Sequence, residues 1–252
     1  MSDPISVSAD EAIDVLFDGR VRLIQSRRGF RTSVDSYALA VFACDVEATA
    51  PATVLDLGAG SGLLAVLAGR CWKAARLVLV ERNAVLAERA RRNLALNGLD
   101  GRATVHTADV ADLAALGVTA DLVLCNPPFF VPGRTTSPAH PERRAAHSES
   151  TLPLEGFATA AALALRPGGS VAFVYPAEGV DRLVRALGCA GLGVVDVHNL
   201  LHRQGDASAV RVLVRARTGS LQVKAGTPWA MHPVGAPVRE WTERFAAFPR
   251  RL

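Results

Sequence analysis

The chain has 252 residues, 28 of them basic and 24 acidic, so its formal net charge is +4 and its isoelectric point is near 9.2. This modest basic excess is compatible with a nucleic-acid partner but does not by itself identify one. The length favours one domain with short extensions, and no apolar run approaches the ~20 residues that a membrane-spanning helix needs. The first residues are acidic and lack the basic cluster of a secretory leader, so we expect a cytoplasmic protein without a membrane anchor.

The cysteines are widely separated and form no Cys-x-x-Cys pair, which argues against a structural metal site or a disulfide framework. We expect them to be small buried side chains in a reducing compartment. They are Cys44, Cys71, Cys125 and Cys189. No bound metal is predicted.

Three parts are predicted along the chain. Residues 1–50 form a small N-terminal extension over one edge of the functional site, residues 51–218 form the main domain, and residues 219–252 form an irregular tail that ends in a short helix. In the main domain, short apolar runs alternate with helical patterns, which is typical of a doubly wound α/β sheet. The predicted parallel strands are residues 53–57, 77–80, 103–107, 122–125 and 170–175.

A helix is predicted between the second and third strands, over residues 84–97, with Asn83 as its N-cap and Asn97-Gly as its stop. Residues 166–169, Arg-Pro-Gly-Gly, have the composition of a turn before the fifth strand. Two further strands are predicted near residues 193–201 and 210–216.

The first strand leads into a glycine-rich loop, Asp56-Leu-Gly58-Ala-Gly60-Ser-Gly62, and a helical pattern follows. Glycines at such a turn allow positive φ angles and a close approach of the backbone to a ligand. A dinucleotide-binding fingerprint would have its third glycine at the position of Leu63. The spacing therefore disfavours NAD and favours a ligand without a pyrophosphate, such as S-adenosylmethionine.

Two acidic residues follow the next two strands. Glu81 ends the second strand, where a carboxylate can bind both ribose hydroxyls of the cofactor. Asp109 follows the third strand and is a candidate acceptor for the cofactor's adenine amino group, although Asp112 lies close by. With Asp56 and the three glycines, Glu81 and Asp109 are the predicted cofactor-binding residues.

The fourth strand is followed by the tetrapeptide Asn126-Pro127-Pro128-Phe129. The two prolines fix the chain and remove two backbone donors, which leaves carbonyl oxygens beside the Asn126 side-chain oxygen as acceptors. Two acceptors that hold the hydrogens of a planar amino group localise its lone pair and stabilise the positive charge that develops on methylation. Phe129 would stack on the flat target. Because ligands bind at strand carboxyl ends, we predict that the tetrapeptide is catalytic and that Asn126 also contacts the cofactor.

The glycine loop and the tetrapeptide together resemble class I methyltransferases that modify amino groups. Residues 25–40, with the sequence QSRRGFRTSVDSYALA, resemble the leader of bacterial tRNA adenine-N6-methyltransferases that act beside the anticodon of a valine tRNA. Residues 91–99 and 165–169 are similar to the same family, and the resemblance covers about residues 23–216. It implies a Rossmann-like sheet with an antiparallel C-terminal edge, and S-adenosylmethionine as the cofactor.

The resemblance also implies roles for individual residues. Asp35 and its neighbours would close over the methionine end of the cofactor. The loop after the tetrapeptide, with Arg134, Arg143 and Arg144, would face the substrate. Phe129 stands where the family more often has tyrosine, and it can stack equally well.

The predicted function is methyl transfer to the exocyclic N6 amino group of adenine in RNA, with tRNA as the expected substrate and a monomer as the favoured state. A guanine amino group of ribosomal RNA and a release-factor glutamine amide remain alternatives, because the tetrapeptide suits them too. About 50 residues before the first strand leave little room for the helical domain that release-factor enzymes carry. An NAD-dependent oxidoreductase is disfavoured by Leu63, and a non-catalytic RNA-binding module by the intact tetrapeptide.

Overall fold

The structure is a computed structural model that describes residues 5–28, 31–129, 152–219, 224–237 and 240–252. It begins with an antiparallel hairpin of β1 (Glu11–Leu16) and β2 (Val21–Ser26), which helix α1 (Val34–Val46) follows. The sequence predicts only a small extension here. The structure shows that the extension consists of this hairpin and helix.

The main sheet contains the remaining strands of the described chain. They are β3 (Thr53–Leu57), β4 (Arg76–Glu81), β5 (Ala103–Thr107), β6 (Ala120–Cys125), β7 (Leu165–Pro176), β8 (Leu192–Arg203), β9 (Arg211–Thr218), β10 (Lys224–Ala225) and β11 (Trp229–His232). Their spatial order is β5-β4-β3-β6-β7-β9-β8-β10, and β11 also pairs with β8. Strands β3 to β7 are parallel, whereas β9 runs antiparallel to both β7 and β8. The predicted doubly wound sheet with an antiparallel C-terminal edge is confirmed.

Helices cover both faces of the sheet and create two hydrophobic cores. Besides α1 they are α2 (Leu63–Cys71), α3 (Ala84–Leu96), α4 (Leu154–Ala164), α5 (Val180–Cys189) and the short α6 (Glu243–Ala247). Successive strand residues point to opposite faces, so Leu122 and Leu124 of β6 join the core beneath α1 and α2, while Val123 and Cys125 join the core beneath α4 and α5. Burial on both faces explains why the central strands are continuously apolar.

Two asparagines attach the N-terminal hairpin to the main domain: Asn93 of α3, and Asn97, which caps the C-terminus of that helix. Asn93 Oδ1 accepts from the backbone nitrogen of Ile24 at 2.6 Å, and Asn93 Nδ2 donates to the Ile24 carbonyl at 3.1 Å. Asn97, one helical turn later, makes the same pair of bonds with the backbone of Arg22, at 3.1 and 2.7 Å. Each side-chain amide therefore bonds to β2 as the backbone of a neighbouring strand would. Asn93 and Asn97 are four positions apart, and they reach Ile24 and Arg22, which are two positions apart on β2 and so point the same way.

A buried ion pair strengthens the same interface. Glu11 of β1 accepts a hydrogen bond from Arg89 Nε at 2.8 Å and further bonds from Arg92. The hydrogen bonds from Arg92 hold the pKa of Glu11 well below its usual range, although burial opposes them. The hairpin is therefore fixed on α3 by charge as well as by the asparagines.

The bounds of several elements agree with the sequence prediction, and one turn does not. Strands β3 and β5 have the predicted bounds, and Asn83 caps α3 by accepting from the backbone nitrogens of Val85 and Leu86. Residues 166–169 were predicted as a turn, and this is wrong, because they form an irregular stretch inside β7. There the register to β6 shifts between Ala120 and Leu122.

The tail and the cysteines also require corrections. The predicted short terminal helix is present as α6, but the tail is less irregular than expected because β10 and β11 extend the sheet beside β8. Helix α6 packs against α1, where the Tyr37 hydroxyl donates to the Phe245 carbonyl. The four cysteines are free thiols, and Cys125 is buried as predicted, whereas Cys189 is exposed.

Candidate active site

The glycine loop connects β3 to α2 at the carboxyl edge of the sheet. Gly58, Gly60 and Gly62 have φ angles of 71°, 55° and 85°, a region that other residues rarely adopt. The backbone nitrogens of Gly58 and Ala59 both donate to the carbonyl of Val80 in β4, at 2.9 and 3.1 Å. The loop is thus folded tightly over the ends of β3 and β4, and it brings the N-terminus of α2 to the site.

Glu81 lies beneath this loop and fixes its shape. One carboxylate oxygen accepts from the Gly60 backbone nitrogen at 2.8 Å, and the other accepts from the Asn83 backbone nitrogen at 2.8 Å. Burial raises the pKa of Glu81, and these backbone hydrogen bonds oppose the increase. The side chain is 8% exposed, so it lies next to the loop as predicted but already has two protein partners.

Asp56 is the more strongly perturbed acid of the loop. Its side chain is 2% exposed and accepts a hydrogen bond from the Ala65 backbone nitrogen at 3.2 Å, at the start of α2. Its pKa is raised to about 7, chiefly by burial and also by the charge of Glu81, while the hydrogen bond from Ala65 opposes the increase. An acid that is half protonated near neutrality can respond to a positively charged ligand.

The predicted cofactor loop, the start of the tetrapeptide and the beginning of α1 line one cleft. Its volume is about 390 Å³, including its open mouth. The lining residues are Thr32, Ser33, Ser36, Asp56, Gly58, Ala59, Gly60, Ser61, Leu63, Leu64 and Asn126. The cleft therefore joins segments that are far apart in sequence at the position where parallel α/β sheets bind ligands.

The tetrapeptide continues from β6 into this cleft. The Asn126 side-chain nitrogen donates to Oγ of Ser36 at 3.1 Å. The Phe129 ring meets the Tyr175 ring edge to face, with centroids 5.7 Å apart, and the Arg211 guanidinium carbon lies 4.8 Å from the Phe129 ring centroid. The side chains of Asn126 and Phe129 are thus both held by neighbours from other elements.

Asp35 and Asp109 occupy positions at the periphery. Asp35 is buried in the first turn of α1, but Ser33 is the N-cap, and Asp35 accepts from Arg211 Nε at 3.1 Å. Asp109 caps a short 3-10 helix by accepting from the Ala111 backbone nitrogen at 2.9 Å, and it pairs with Arg82 at 3.1 Å. Neither acid is among the residues that line the cleft. Their predicted contacts with the cofactor stay predictions.

The proposed substrate arginines Arg134, Arg143 and Arg144 lie outside the described residues. Sequence reasoning gave no role to Ser36, Asn93 or Arg211. Ser36 lies inside the family-like leader, and Asn93 inside a family-like helix, so a signal was present for both. No such signal exists for Arg211. It lies at the start of an antiparallel strand, whereas site residues are expected at the carboxyl ends of the parallel strands.

The residues present fit S-adenosylmethionine. Ser61 Oγ is buried and has no hydrogen-bond partner within the described part of the chain, so the cleft wall holds an unsatisfied polar atom. A Cβ at Gly62 would lie only 3.2 Å from Ala90, and the positive φ angles of Gly58 and Gly62 disfavour any larger residue, so the loop backbone stays open to a close ligand. The buried acid Asp56 lines the cleft and the buried acid Glu81 lies beneath its loop, an arrangement suited to a cationic ligand with hydroxyl groups.

Membrane-spanning helices and metal clusters are both absent from the described residues. No helix among them combines the length and the apolar character needed to cross a membrane. In the same ranges, no group of three or more His, Cys, Asp or Glu side chains is arranged to hold a metal ion.

Comparison with known proteins identifies the family. The profile of the methyltransferase small domain matches residues 31–179, more than half of the chain. The tRNA1(Val) (adenine(37)-N6)-methyltransferase of Shewanella baltica is 30% identical over 189 residues, which are 73% of this chain and 76% of that protein. The ribosomal RNA large subunit methyltransferase G of Shewanella amazonensis is 50% identical, but over only 78 residues, which are 31% of this chain and 20% of that enzyme.

Among solved structures, a protein of Agrobacterium tumefaciens described as a predicted O-methyltransferase covers 86% of this chain with a TM-score of 0.68 and 24% identity. A ribosomal protein L11 methylase of Lactobacillus delbrueckii covers 74% with a TM-score of 0.53 and 19% identity. At these identities the likeness shows the fold alone. The chain therefore belongs to the methyltransferase small domain family, as an S-adenosylmethionine-dependent methyltransferase related to the bacterial tRNA1(Val) adenine-N6-methyltransferases.

Proposed function

We propose that this enzyme methylates the exocyclic N6 amino group of an adenine in tRNA. The observation that carries the proposal is the hydrogen bond from Asn126 Nδ2 to Ser36 Oγ, at the cleft that the glycine loop also lines. An amide whose nitrogen is used in this way keeps its oxygen as an acceptor. An acceptor is what the hydrogens of a planar amino group require.

The chemistry follows from the electronic structure of the target. The lone pair of an adenine amino group is delocalised into the ring, so the group is a weak nucleophile. Asn126 Oδ1 and the backbone carbonyl of Pro127 would each accept one amino hydrogen and localise the lone pair on nitrogen. S-adenosylmethionine, when bound, would supply an electrophilic methyl group and would leave as S-adenosylhomocysteine. The two acceptors would stabilise the positive charge that develops on the amino nitrogen, which would then release a proton to solvent.

Positioning accounts for the remaining residues. Phe129 would stack on the adenine and orient its amino group towards Asn126. Glu81 would hold the ribose hydroxyls of the cofactor, and Asp56 would face its positively charged methionine portion. The glycines of residues 58–62 lack side chains, so the loop backbone could approach the ligand closely. Asp109 would contact the adenine end of the cofactor, as the sequence predicts.

The choice of tRNA adenine rests on the relatives. The named tRNA relative aligns with about three quarters of the chain, whereas the ribosomal RNA relative aligns with less than a third. The basic charge of the chain is consistent with an RNA partner. We propose a monomer that acts on tRNA in the cytoplasm, with Arg134, Arg143 and Arg144 on the substrate side.

The deciding experiment is mass spectrometry of modified nucleosides. Unmodified total tRNA, ribosomal RNA and a release factor are incubated separately with the enzyme and isotopically labelled S-adenosylmethionine. We expect labelled N6-methyladenosine in tRNA only, and none with the variant Asn126→Ala under the same conditions. Labelled methylguanosine in ribosomal RNA, or label on a release-factor glutamine, would replace the proposed substrate with that alternative.

A further inference from the structure

Arg211 is the first residue of β9, and the direction of that strand brings it to the site. Strand β9 runs antiparallel to β7, and Arg211 is the register partner of Pro176, the last residue of β7. The start of an antiparallel strand lies at the same edge as the ends of the parallel strands. Arg211 therefore lies at the edge where β6 leads into the tetrapeptide.

The Arg211 guanidinium is held between an aromatic ring and a carboxylate. Its central carbon lies 4.8 Å from the Phe129 ring centroid, and its Nε donates to Asp35 Oδ2 at 3.1 Å. Its Nη1 also donates to the carbonyl of Val210 at 2.8 Å. The Asp35 side chain is 9% exposed and that of Arg211 29%, so water screens this pair less than a fully exposed one.

These contacts fix the Phe129 ring in two directions. Tyr175 meets the ring at 83° between planes, while Arg211 lies over it at the distance of a cation–π contact. A ring held in this way loses little further conformational freedom when it contacts a flat substrate. Asp35 lies beside Ser36, so the first turn of α1 supports both functional residues of the tetrapeptide: Ser36 contacts Asn126, and Asp35 reaches Phe129 through Arg211.

We propose that Arg211 is a positioning residue that holds Phe129 for the target base, and that Asp35 acts through Arg211 rather than on the cofactor. The proposal rests on the proposed function only in taking Phe129 as the stacking residue. It gives Asp35 a different role from the one that the family resemblance implies.

The test is a double-mutant cycle on steady-state methyl transfer. Arg211→Met keeps the length of the side chain but removes its charge and planar group. We expect the apparent KM for the nucleic acid to rise about tenfold, as the loss of a partly buried cation–π contact predicts, with a smaller change in kcat. The affinity for S-adenosylmethionine should stay within about twofold. In a Phe129→Ala background, Arg211→Met should have almost no further effect, and Arg211→Lys should recover part of the loss in the wild-type background.

Asp35 is tested in the same assay. If it acts through Arg211, Asp35→Asn should raise KM without weakening S-adenosylmethionine binding, and it should add little to Arg211→Met. A loss of cofactor affinity in Asp35→Asn alone would assign Asp35 to the cofactor and overturn the proposal. The proposal would also be overturned if Arg211→Met raised KM by the same factor in the wild-type and Phe129→Ala backgrounds.

The chain provides a matched control in Arg244. Its guanidinium carbon lies 4.1 Å from the Trp229 ring centroid and the side chain pairs with Asp45, so it has the same two kinds of contact at the other end of α1. Arg244→Met should change thermal stability about as much as Arg211→Met does but leave KM unchanged. The cycle is run on whichever substrate the wild-type enzyme methylates. If that substrate is not tRNA, the proposed function is refuted. The cycle still measures whether Arg211 and Phe129 are coupled, so the two proposals can fail independently.

Discussion

The side-chain amide of Asn126 donates to Oγ of Ser36 at 3.1 Å, and these residues are 90 positions apart in the sequence. Ser36 lies in the first turn of α1, which the family-like leader forms, and Asn126 directly follows β6. The leader therefore does more than cover the cleft, because it sets the orientation of the proposed catalytic amide. This relationship makes the arrangement of α1 part of the proposed catalytic machinery.

Asn126→Ala should separate chemistry from binding. The amide is proposed to hold the amino group more tightly in the transition state than in the ground state, so its loss should lower the rate more than the affinity. We expect single-turnover methyl transfer to fall by ~100-fold or more, comparable to the loss of one oxyanion donor. Cofactor binding and most RNA affinity should be retained, as measured by calorimetry and filter binding.

Ser36→Ala provides the intermediate case for this prediction. It leaves the Asn126 amide in place but removes the hydrogen bond that orients it. The rate of methyl transfer should therefore fall by about tenfold, which corresponds to one ordinary hydrogen bond. Thr159→Val, at an exposed position of α4, is the control for handling and folding. Near wild-type methylation by Asn126→Ala would mean that the tetrapeptide is only a strand-ending turn.

Much of the fold could be predicted from sequence because its determinants are local. The central strands are buried on both faces, so their continuous apolar runs are distinctive. Asn83 caps the helix that directly follows it, so the cap and its helix are recognisable in one short stretch of sequence. The glycine loop and the tetrapeptide could be assigned to one edge of the sheet because parallel strands end there together.

The remaining features depend on contacts between distant segments. Hairpin β1-β2 lacks a clear alternation, and Asn93, 69 residues after Ile24, is one of its main partners. Arg211 meets Asp35 across 176 residues, and nothing in the local pattern of β9 marks that arginine as functional. Turn composition misled at residues 166–169, because strand pairing continues on both sides of them: Leu165 pairs with Ala120 and Ser170 pairs with Leu122, so the irregular stretch lies inside β7.

Glu81→Gln should weaken S-adenosylmethionine binding by about tenfold or more, because a charged hydrogen bond to the ribose is worth ~1.5–3 kcal/mol. The structure adds that Glu81 also binds the backbone of Gly60 and Asn83, so some stability should be lost too. Calorimetry with S-adenosylhomocysteine and its 2′-deoxy analogue distinguishes the two effects. The wild type should prefer the ribose form, and the variant should not; an equal preference in both would exclude Glu81 as the ribose ligand.

Asn93→Leu should destabilise the whole fold. It preserves side-chain volume but leaves the backbone nitrogen and carbonyl of Ile24 and the carbonyl of Ser61 without their partner. Unsatisfied buried groups cost ~1–3 kcal/mol each, so we expect the free energy of unfolding to fall by about 3 kcal/mol or more. Urea denaturation measures this change. Glu88→Leu, on the exposed face of the same helix, should change stability by no more than about 0.5 kcal/mol.

Reversal of Arg143 and Arg144 to glutamate should weaken RNA binding and its dependence on salt. Each lost phosphate contact lowers the slope of log affinity against log salt by ~0.7 on a single strand, so the slope should fall by about 1.4. Arg76→Glu, at the opposite, amino-terminal end of β4, is the control and should leave the slope nearly unchanged. An RNA affinity that does not depend on salt in the wild type would contradict the nucleic-acid interpretation.

The pKa of Asp56 predicts how cofactor binding and stability depend on pH. Burial raises this pKa from 3.8 to about 7, so the folded protein holds the proton more tightly than the unfolded chain between those values. Its contribution to stability is therefore complete below about pH 4 and is lost as the pH rises through about 7. Asp56→Asn should remove this part of the pH dependence, as measured by denaturation of the ligand-free proteins.

Cofactor binding should show the opposite trend in the same pH range. The ammonium and sulfonium charges of S-adenosylmethionine favour ionised Asp56, so binding should release a proton and the affinity should rise with pH until about 7. Calorimetry in buffers of different ionisation enthalpy measures that proton directly. The ligand's own ionisation contributes equally to wild type and Asp56→Asn, so the difference between them reports Asp56 alone. If both proteins release the same number of protons at pH 6, Asp56 does not sense the cofactor's charge, and its place in the cofactor site must be given up.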